Sequence, residues 1–385
     1  MRRCLTGLVI IILTVFGFGC AGRSSNNANG PVQLNVLFPP TSPFSGLVTN
    51  PLVTGANFAI KWADVDRGPG ANPQYDFTGT DAQFRQWIDA GKKIDLIIWP
   101  MTYSAPNDAT PLYVLNNLAA VNQTLCGEDG VNQEITPNFF AAAFQLSYKA
   151  FILAVIQHYS SSATVNGIPG FSNPAAIGYI RIGFAQGGET FPALGFQGSD
   201  PVCAGAFTRW GWTPTAWTTY LKQMLDYETS LNFPMQLMVA INAEVYQGAT
   251  QYSIADTEAA VAVADGIAFG NEGLTQTDIA EYNAQQPCEA NWCAEFDLHA
   301  GRVPLELQLG GGAKSDPTCH PGPCLGNGTG SLVDLLPFAV QRHTTILEIG
   351  YPDWQIAFDS TSPDYAHYHA AYQQALQVAA QGGRN

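Results

Sequence analysis

The chain has 385 residues and a formal net charge of −15 at pH 7, with 12% charged and 11% aromatic residues. So acidic a protein repels polyanions, which argues against nucleic acid as a partner. Few charges and many rings favour a ligand held by stacking and neutral hydrogen bonds.

At the N-terminus, Arg2 and Arg3 precede an apolar run from Leu8 to Phe18 that stops at Gly19-Cys20. A positive start and a short apolar core read as a signal peptide over residues 1–19, too short for a spanning helix. The cysteine at the break resembles a bacterial lipoprotein signal, in which Cys20 would become the lipidated first residue. Secretion with cleavage nearby is the alternative. Residues 20–31, rich in Ser, Asn and Gly, suit a flexible tether. The remainder, residues 32–385, reads as one domain, and a lipid on Cys20 is its only expected membrane contact.

Strand-like runs then alternate with helical ones. Strands are expected at 32–38, 57–63, 94–99, 177–184, 235–241, 266–269, 303–309 and 345–349. Helices are expected at 81–90, 137–159, 214–231 with Thr213 as its cap, and 365–379. Eight strands, each followed by a helix or room for one, point to an α/β fold: a (β/α)8 TIM barrel with long βα loops. No Gly-x-Gly-x-x-Gly follows the first strand, so a dinucleotide-binding sheet lacks its signature.

Six cysteines lie beyond Cys20, in loops. Export favours the pairs Cys126–Cys203, Cys288–Cys293 and Cys319–Cys324. Zinc, with His320 beside Cys319, is the alternative, although the C-x4-C spacings are wide for it.

Period-two alternation separates the faces of each strand. In the seventh, Val303, Leu305, Leu307 and Leu309 should meet helices, while Pro304, Glu306 and Gln308 look inward. In the eighth, Ile346, Glu348 and Gly350 look inward, and in the fourth Arg181 and Gly183 do. Lys61 is a further inward candidate from the second strand. Buried charges need partners, so these groups should offset one another. Glu189, beyond the fourth strand after Gly187-Gly188, stands at the end of the barrel where active sites form.

Two carboxylates flanking a glycosidic bond can cleave it, one protonated and one ionised. An inward Glu306 near Arg181 should stay anionic, and Glu189, away from a cation, should hold its proton. The run Lys61-Trp62-Ala63-Asp64-Val65-Asp66, Gly70, Tyr75-Asp76-Phe77 and Asp81, with Gly91-Lys92-Lys93-Ile94-Asp95-Leu96-Ile97-Ile98, resembles that of barrel β-galactosidases of the retaining glycoside hydrolases. The closing Ile346-Leu347-Glu348-Ile349 to Asp353-Trp354 is similar to their last strand. The resemblance implies Glu189 as acid/base and Glu306 as nucleophile, with Glu348 as the alternative nucleophile. It also implies a carbohydrate substrate and no cofactor or metal. The family carries Asn before its strand-four glutamate, where this chain has Gly188. Its own Asn271-Glu272 pair follows the sixth strand and is a candidate for substrate binding.

Trp62, Trp99, Tyr103, Tyr246, Trp292, Tyr351 and Trp354 fall at or beyond strand C-termini. Such rings stack on sugar C–H faces, and with Arg181, Asn271, Glu272 and Gln308 they make up the expected substrate site. A barrel that binds glycans without cleaving them is the rival reading. His367 and His369 sit two apart on a helix and point different ways, so they do not form a metal pair.

Overall fold

The computed structural model describes residues 31–102, 106–127, 133–160, 176–192, 200–231, 234–246, 249–288, 291–309, 315–319 and 329–382. Tyr103, His320, Cys324 and the expected signal and tether up to residue 30 lie outside them.

Eight parallel strands close into a barrel: β1 (Gln33–Leu37), β2 (Gly55–Lys61), β3 (Lys93–Trp99), β4 (Ile177–Ile182), β5 (Gln236–Ala240), β6 (Ala268–Leu274), β7 (Leu305–Leu309) and β8 (Ile346–Gly350). Each pairs with its neighbour in sequence, and β8 closes on β1 with Asn35 opposite Glu348. Closure leaves no strand edge unpaired, and helices wrap the outside. The fold is the (β/α)8 barrel that the strand count implied.

Side chains obey the alternation. Leu305, Leu307 and Leu309 are buried against the helical layer, and Tyr179, Met238, Ala268 and Ile346 form a separate apolar cluster inside the barrel. The long helix Ala142–Ser160 covers one flank, where Trp62 stacks on Phe151 and packs on Phe144 and Tyr148. Helix starts are fixed by their caps. Thr213 accepts from the Ala216 amide ahead of Pro214, and Thr275 and Asp278 form a capping box.

Three of the boundaries that differ from the sequence expectation bear on the site. The second strand ends at Lys61, because Trp62–Val65 turns into a short helix. The sixth runs on to Leu274 rather than stopping near 269, so Asn271 and Glu272 belong to the strand. A register shift between Asn271 and Leu274 lets that strand bend there. The long helix starts at Ala142, since Pro137 closes a hairpin of Gln123–Cys126 against Glu134–Pro137.

That hairpin is bolted to the chain beyond β4. Cys126 is bridged to Cys203, with Cα atoms 4.9 Å apart. Asp200 caps the helix Pro201–Arg209 through the Val202 and Cys203 amides and also accepts from Gly127 N. The Cys288–Cys293 bridge is likewise formed. Cys319 is disulfide-bonded too, while its expected partner Cys324 lies outside the described residues.

The Cys126–Cys203 bridge spans 77 residues. In the chain-entropy account such a loop is worth on the order of 4 kcal/mol. The double variant Cys126→Ser/Cys203→Ser is therefore expected to unfold at clearly lower urea concentration than the parent. An unchanged midpoint would mean the hairpin holds without its bolt.

Candidate active site at the barrel mouth

The barrel interior is polar, and its order follows from the strands. Asn57 donates to Glu348 Oε1 at 2.7 Å and is also bonded to the Tyr179 hydroxyl, which donates to the same carboxyl oxygen. Asn35 donates to Asp95 at 2.6 Å, and the Tyr179 amide donates to the other Asp95 oxygen at 3.0 Å. Arg181 is buried among them. Its Nη1 makes an ion pair with Glu272 and lies 3.8 Å from Glu348 Oε2.

Glu306 shares this space without a partner. It is fully enclosed, and neither carboxyl oxygen has a hydrogen bond among the described residues. Its room comes from Gly270, its register partner on β6, where any Cβ would overlap the carboxyl group. Burial pushes the Glu306 carboxyl well above the usual range; Arg181 pulls down, while Glu272 and Asp95 push up. Glu348 and Asp95 are raised by burial in the same way. The expectation that Arg181 keeps Glu306 anionic is thus corrected. The guanidinium is taken by Glu272, and desolvation dominates at Glu306. Lys61 is corrected as well, since it leaves the barrel to pair with Asp108 at 2.8 Å.

Above this layer lies the mouth. After β4 the chain folds back in a turn whose Phe184 and Ala185 amides both bond to the Glu189 carbonyl. Gly187 and Gly188 have φ of 65° and 81°, which L side chains rarely adopt. A Cβ on Gly188 would also lie 2.7 Å from Trp99 Cδ1. Glycine is required at 188 both by its positive φ and by the closeness of Trp99 and Ile97. The turn delivers Glu189, buried, to Asn242 beyond β5, whose amide donates to Glu189 Oε2 at 3.0 Å. Ile241, beside Asn242, accepts from Asn271 Nδ2 at 3.3 Å. Glu189 and the Asn271-Glu272 pair therefore flank the end of β5.

Trp99 is half-buried, with the Phe38 ring edge-on at 6.0 Å. Gln308 is buried one inward step nearer the mouth than Glu306. Its Oε1, like Asn271 Oδ1, has no hydrogen-bond partner among the described residues. Other expected sugar-stacking rings are placed elsewhere. Trp62, Trp292 and Trp354 are fully enclosed, and the first two donate their indole N–H to Asp66 and Asp278. Trp354 stacks on Phe358. A ring packed on both faces offers none to a sugar. Tyr246 is half-buried against Trp212, and the Tyr351 hydroxyl accepts from Phe44 N. Tyr103 lies outside the described residues.

One acid escaped the sequence reading. Glu134, on the hairpin, accepts from Gln186 Nε2 at 2.5 Å and Thr102 Oγ1 at 3.3 Å. Burial pushes its carboxyl up to about 7. Its hairpin has only four residues a side, too few for alternation to mark it in the sequence.

The raised acids link stability to pH. Above the ordinary glutamate value of 4.5, the unfolded chain loses protons that folded Glu306, Glu348 and Asp95 retain. Stability therefore falls as pH rises toward their folded values, on the order of 1 kcal/mol per pH unit and group. Glu306→Gln, which cannot titrate, is expected to be more stable than the parent at pH 8 and to flatten this slope. Urea titrations at pH 5 and 8 read it, and parallel slopes would mean that Glu306 ionises in the fold.

No protein-family model matches this chain, and no curated protein matches it in sequence. Among solved structures it resembles the endo-1,4-β-mannanase of Rhizomucor miehei, with 12% identity and a TM-score of 0.50, over 91% of this chain and 95% of that one. It also aligns with a β-galactosidase of the psychrophilic Marinomonas ef1, with 10% identity and a TM-score of 0.48, over 90% of this chain and 59% of the galactosidase. The catalytic domain of a β-amylase from Paenibacillus polymyxa aligns at 13% identity and a TM-score of 0.43, over 91% and 90%. The likeness to the mannanase is one of fold, a closed parallel barrel.

Proposed function

We propose that the chain is a glycoside hydrolase acting on an oligo- or polysaccharide at the C-terminal mouth of the barrel. Fold alone does not select a chemistry. The observation that carries the reading is the group around the end of β5. It comprises buried Glu189 on Asn242, the Glu272–Arg181 ion pair, and the half-buried Trp99 face beside the turn. Unsatisfied Gln308 Oε1 and Asn271 Oδ1 suit a ligand rich in hydroxyl groups.

In this reading Glu189 gives a proton to the departing sugar oxygen, and a second carboxylate acts from the other side. Glu306 and Glu348, the partners expected from sequence, are held toward their neutral forms deep in the barrel. Glu272 is the better partner, because its charge is balanced by Arg181. Glu272 lies on β6 and Glu189 beyond β4, on either side of the end of β5. The separation of their carboxyl groups decides the stereochemistry, about 5 to 5.5 Å for retention and about 6.5 to 9.5 Å for inversion.

Two measurements separate these possibilities. Glu272→Gln is expected to lose at least a hundredfold in kcat on every glycoside. Glu189→Ala should be crippled on natural substrates and far less affected on aryl glycosides, whose leaving groups depart unprotonated. Proton NMR of the first product should show the retained anomer that the sequence resemblance implies, and an inverted one would mean that water enters between the two acids. Full activity in Glu272→Gln with none in Glu306→Ala would return the role to β7. Binding of oligosaccharide without turnover in the parent would make the barrel a glycan-binding protein.

We also propose export, with lipid anchoring at Cys20, on the strength of the leader and the disulfides. Cys20→Ser is expected to move the protein from the membrane fraction to the soluble one. A parent already soluble would leave simple secretion.

A further inference from the structure

The hairpin inserted between β3 and the helix Ala142–Ser160 reaches the loops at the mouth through Glu134. Leu125 and Ile135 face outward across its two strands, while Cys126 and Glu134 face in. Glu134 is buried, and its two carboxyl oxygens are divided between two barrel loops. Oε1 receives Gln186 Nε2 from the turn after β4, and Oε2 receives Thr102 Oγ1 from the chain after β3. These loops already touch, since Met101 and Gln186 form a parallel bridge and Gly187 N donates to Met101 O at 2.8 Å. Gln186 in turn accepts from the Glu189 amide at 3.1 Å. A continuous path of hydrogen bonds therefore runs from the hairpin acid to the backbone of Glu189.

We propose that Glu134 is a positioning residue that fixes the Gln186–Glu189 turn, and so sets where the Glu189 carboxyl stands over the barrel mouth. The proposal rests on the assignment of Glu189 to the reacting site. Its mechanical basis is the anchoring of the hairpin. With Cys126 bridged to Cys203 and Asp200 holding Gly127 N and Gln133 Nε2, the base of Glu134 is fixed from below. An acid on a fixed arm can orient a glycine-rich turn that would otherwise sample several conformations. An ionised Glu134 accepts both hydrogen bonds, while a protonated one keeps an acceptor for only one without rearrangement. The charged groups around it are Asp108, itself paired with Lys61, Asp200 at the foot of the hairpin, and Glu189 at the far end of the turn. With its carboxyl near pH 7, the hold on the turn should tighten as pH rises through neutrality.

Hydrogen exchange tests the positioning without reference to turnover. In the full-length protein, Glu134→Ala is expected to speed exchange in the peptide spanning residues 184–190 by about tenfold or more, with the β1 and β8 strands unchanged. Glu134→Gln, which can still accept from Gln186, should restore much of the protection. Kinetics then tests the consequence. Glu134→Ala should lose about tenfold in kcat with KM altered less than about threefold, and Glu134→Gln should lack the pH dependence near neutrality that the parent shows. Unchanged exchange in Glu134→Ala overturns the proposal. So does a loss of activity that merely tracks a lower folded fraction, with the parent pH profile retained. Faster exchange in Glu134→Ala, with a parent that cleaves no glycoside, would uphold the clamp and sink the glycosidase reading instead.

Discussion

One cation holds the interior together. Arg181 is buried on β4, with Glu272 in ion contact and Glu348 nearby, while Glu306 feels its field from β7. A guanidinium is the cation suited to this place, since it presents several donors in a fixed fork and does not give up its proton. A single positive charge cannot neutralise four acids. The barrel resolves the excess by burying Asp95, Glu306 and Glu348 so thoroughly that their neutral forms are favoured. Removing Arg181 would strand Glu272 without a counter-charge, and breaking one side of a buried pair typically costs about 3 to 5 kcal/mol.

This arrangement sorts the acids by depth. Those on the β7 and β8 inner faces belong to the sealed interior, while Glu272 and Glu189 stand at the ends of β6 and beyond β4. Glu306 and Glu348 are fully enclosed, whereas Glu189 keeps 6% exposure and the Glu272 side chain 5%. Trp99 and the turn around Gly188 lie on the boundary between the two layers.

Much of this was legible in the sequence. Period-two alternation placed Arg181, Glu306, Gln308 and Glu348 inward, because a barrel strand has only two faces. Thr213, followed by proline, marked a helix start that the structure keeps. The misreadings have physical causes too. Lys61 obeys the alternation, but its long stem lets the ammonium reach Asp108 at the surface. Trp62 leaves the rim because the strand ends at Lys61, two residues short of its expected end, and the short helix turns the ring into the core. Glycines hid the reach of β6, since Gly270 and Gly273 look like a turn until Glu306 is seen filling the gap. The role of Glu134 depends on a hairpin whose alternation spans four residues a side, too few to distinguish from loop.

The missing side chain at Gly270 is the mould into which Glu306 is cast. The two positions lie on different strands and far apart in the chain, yet a Cβ at 270 would overlap the Glu306 carboxyl and also lie 2.7 Å from the backbone carbonyl of residue 306. Shortening residue 306 would relieve only the first of these clashes, so glycine at 270 is held by the approach of the two strand backbones as well as by the acid. Descendants of this chain could then vary residue 306 while keeping glycine at 270, and an unchanging glycine there would record packing rather than catalysis.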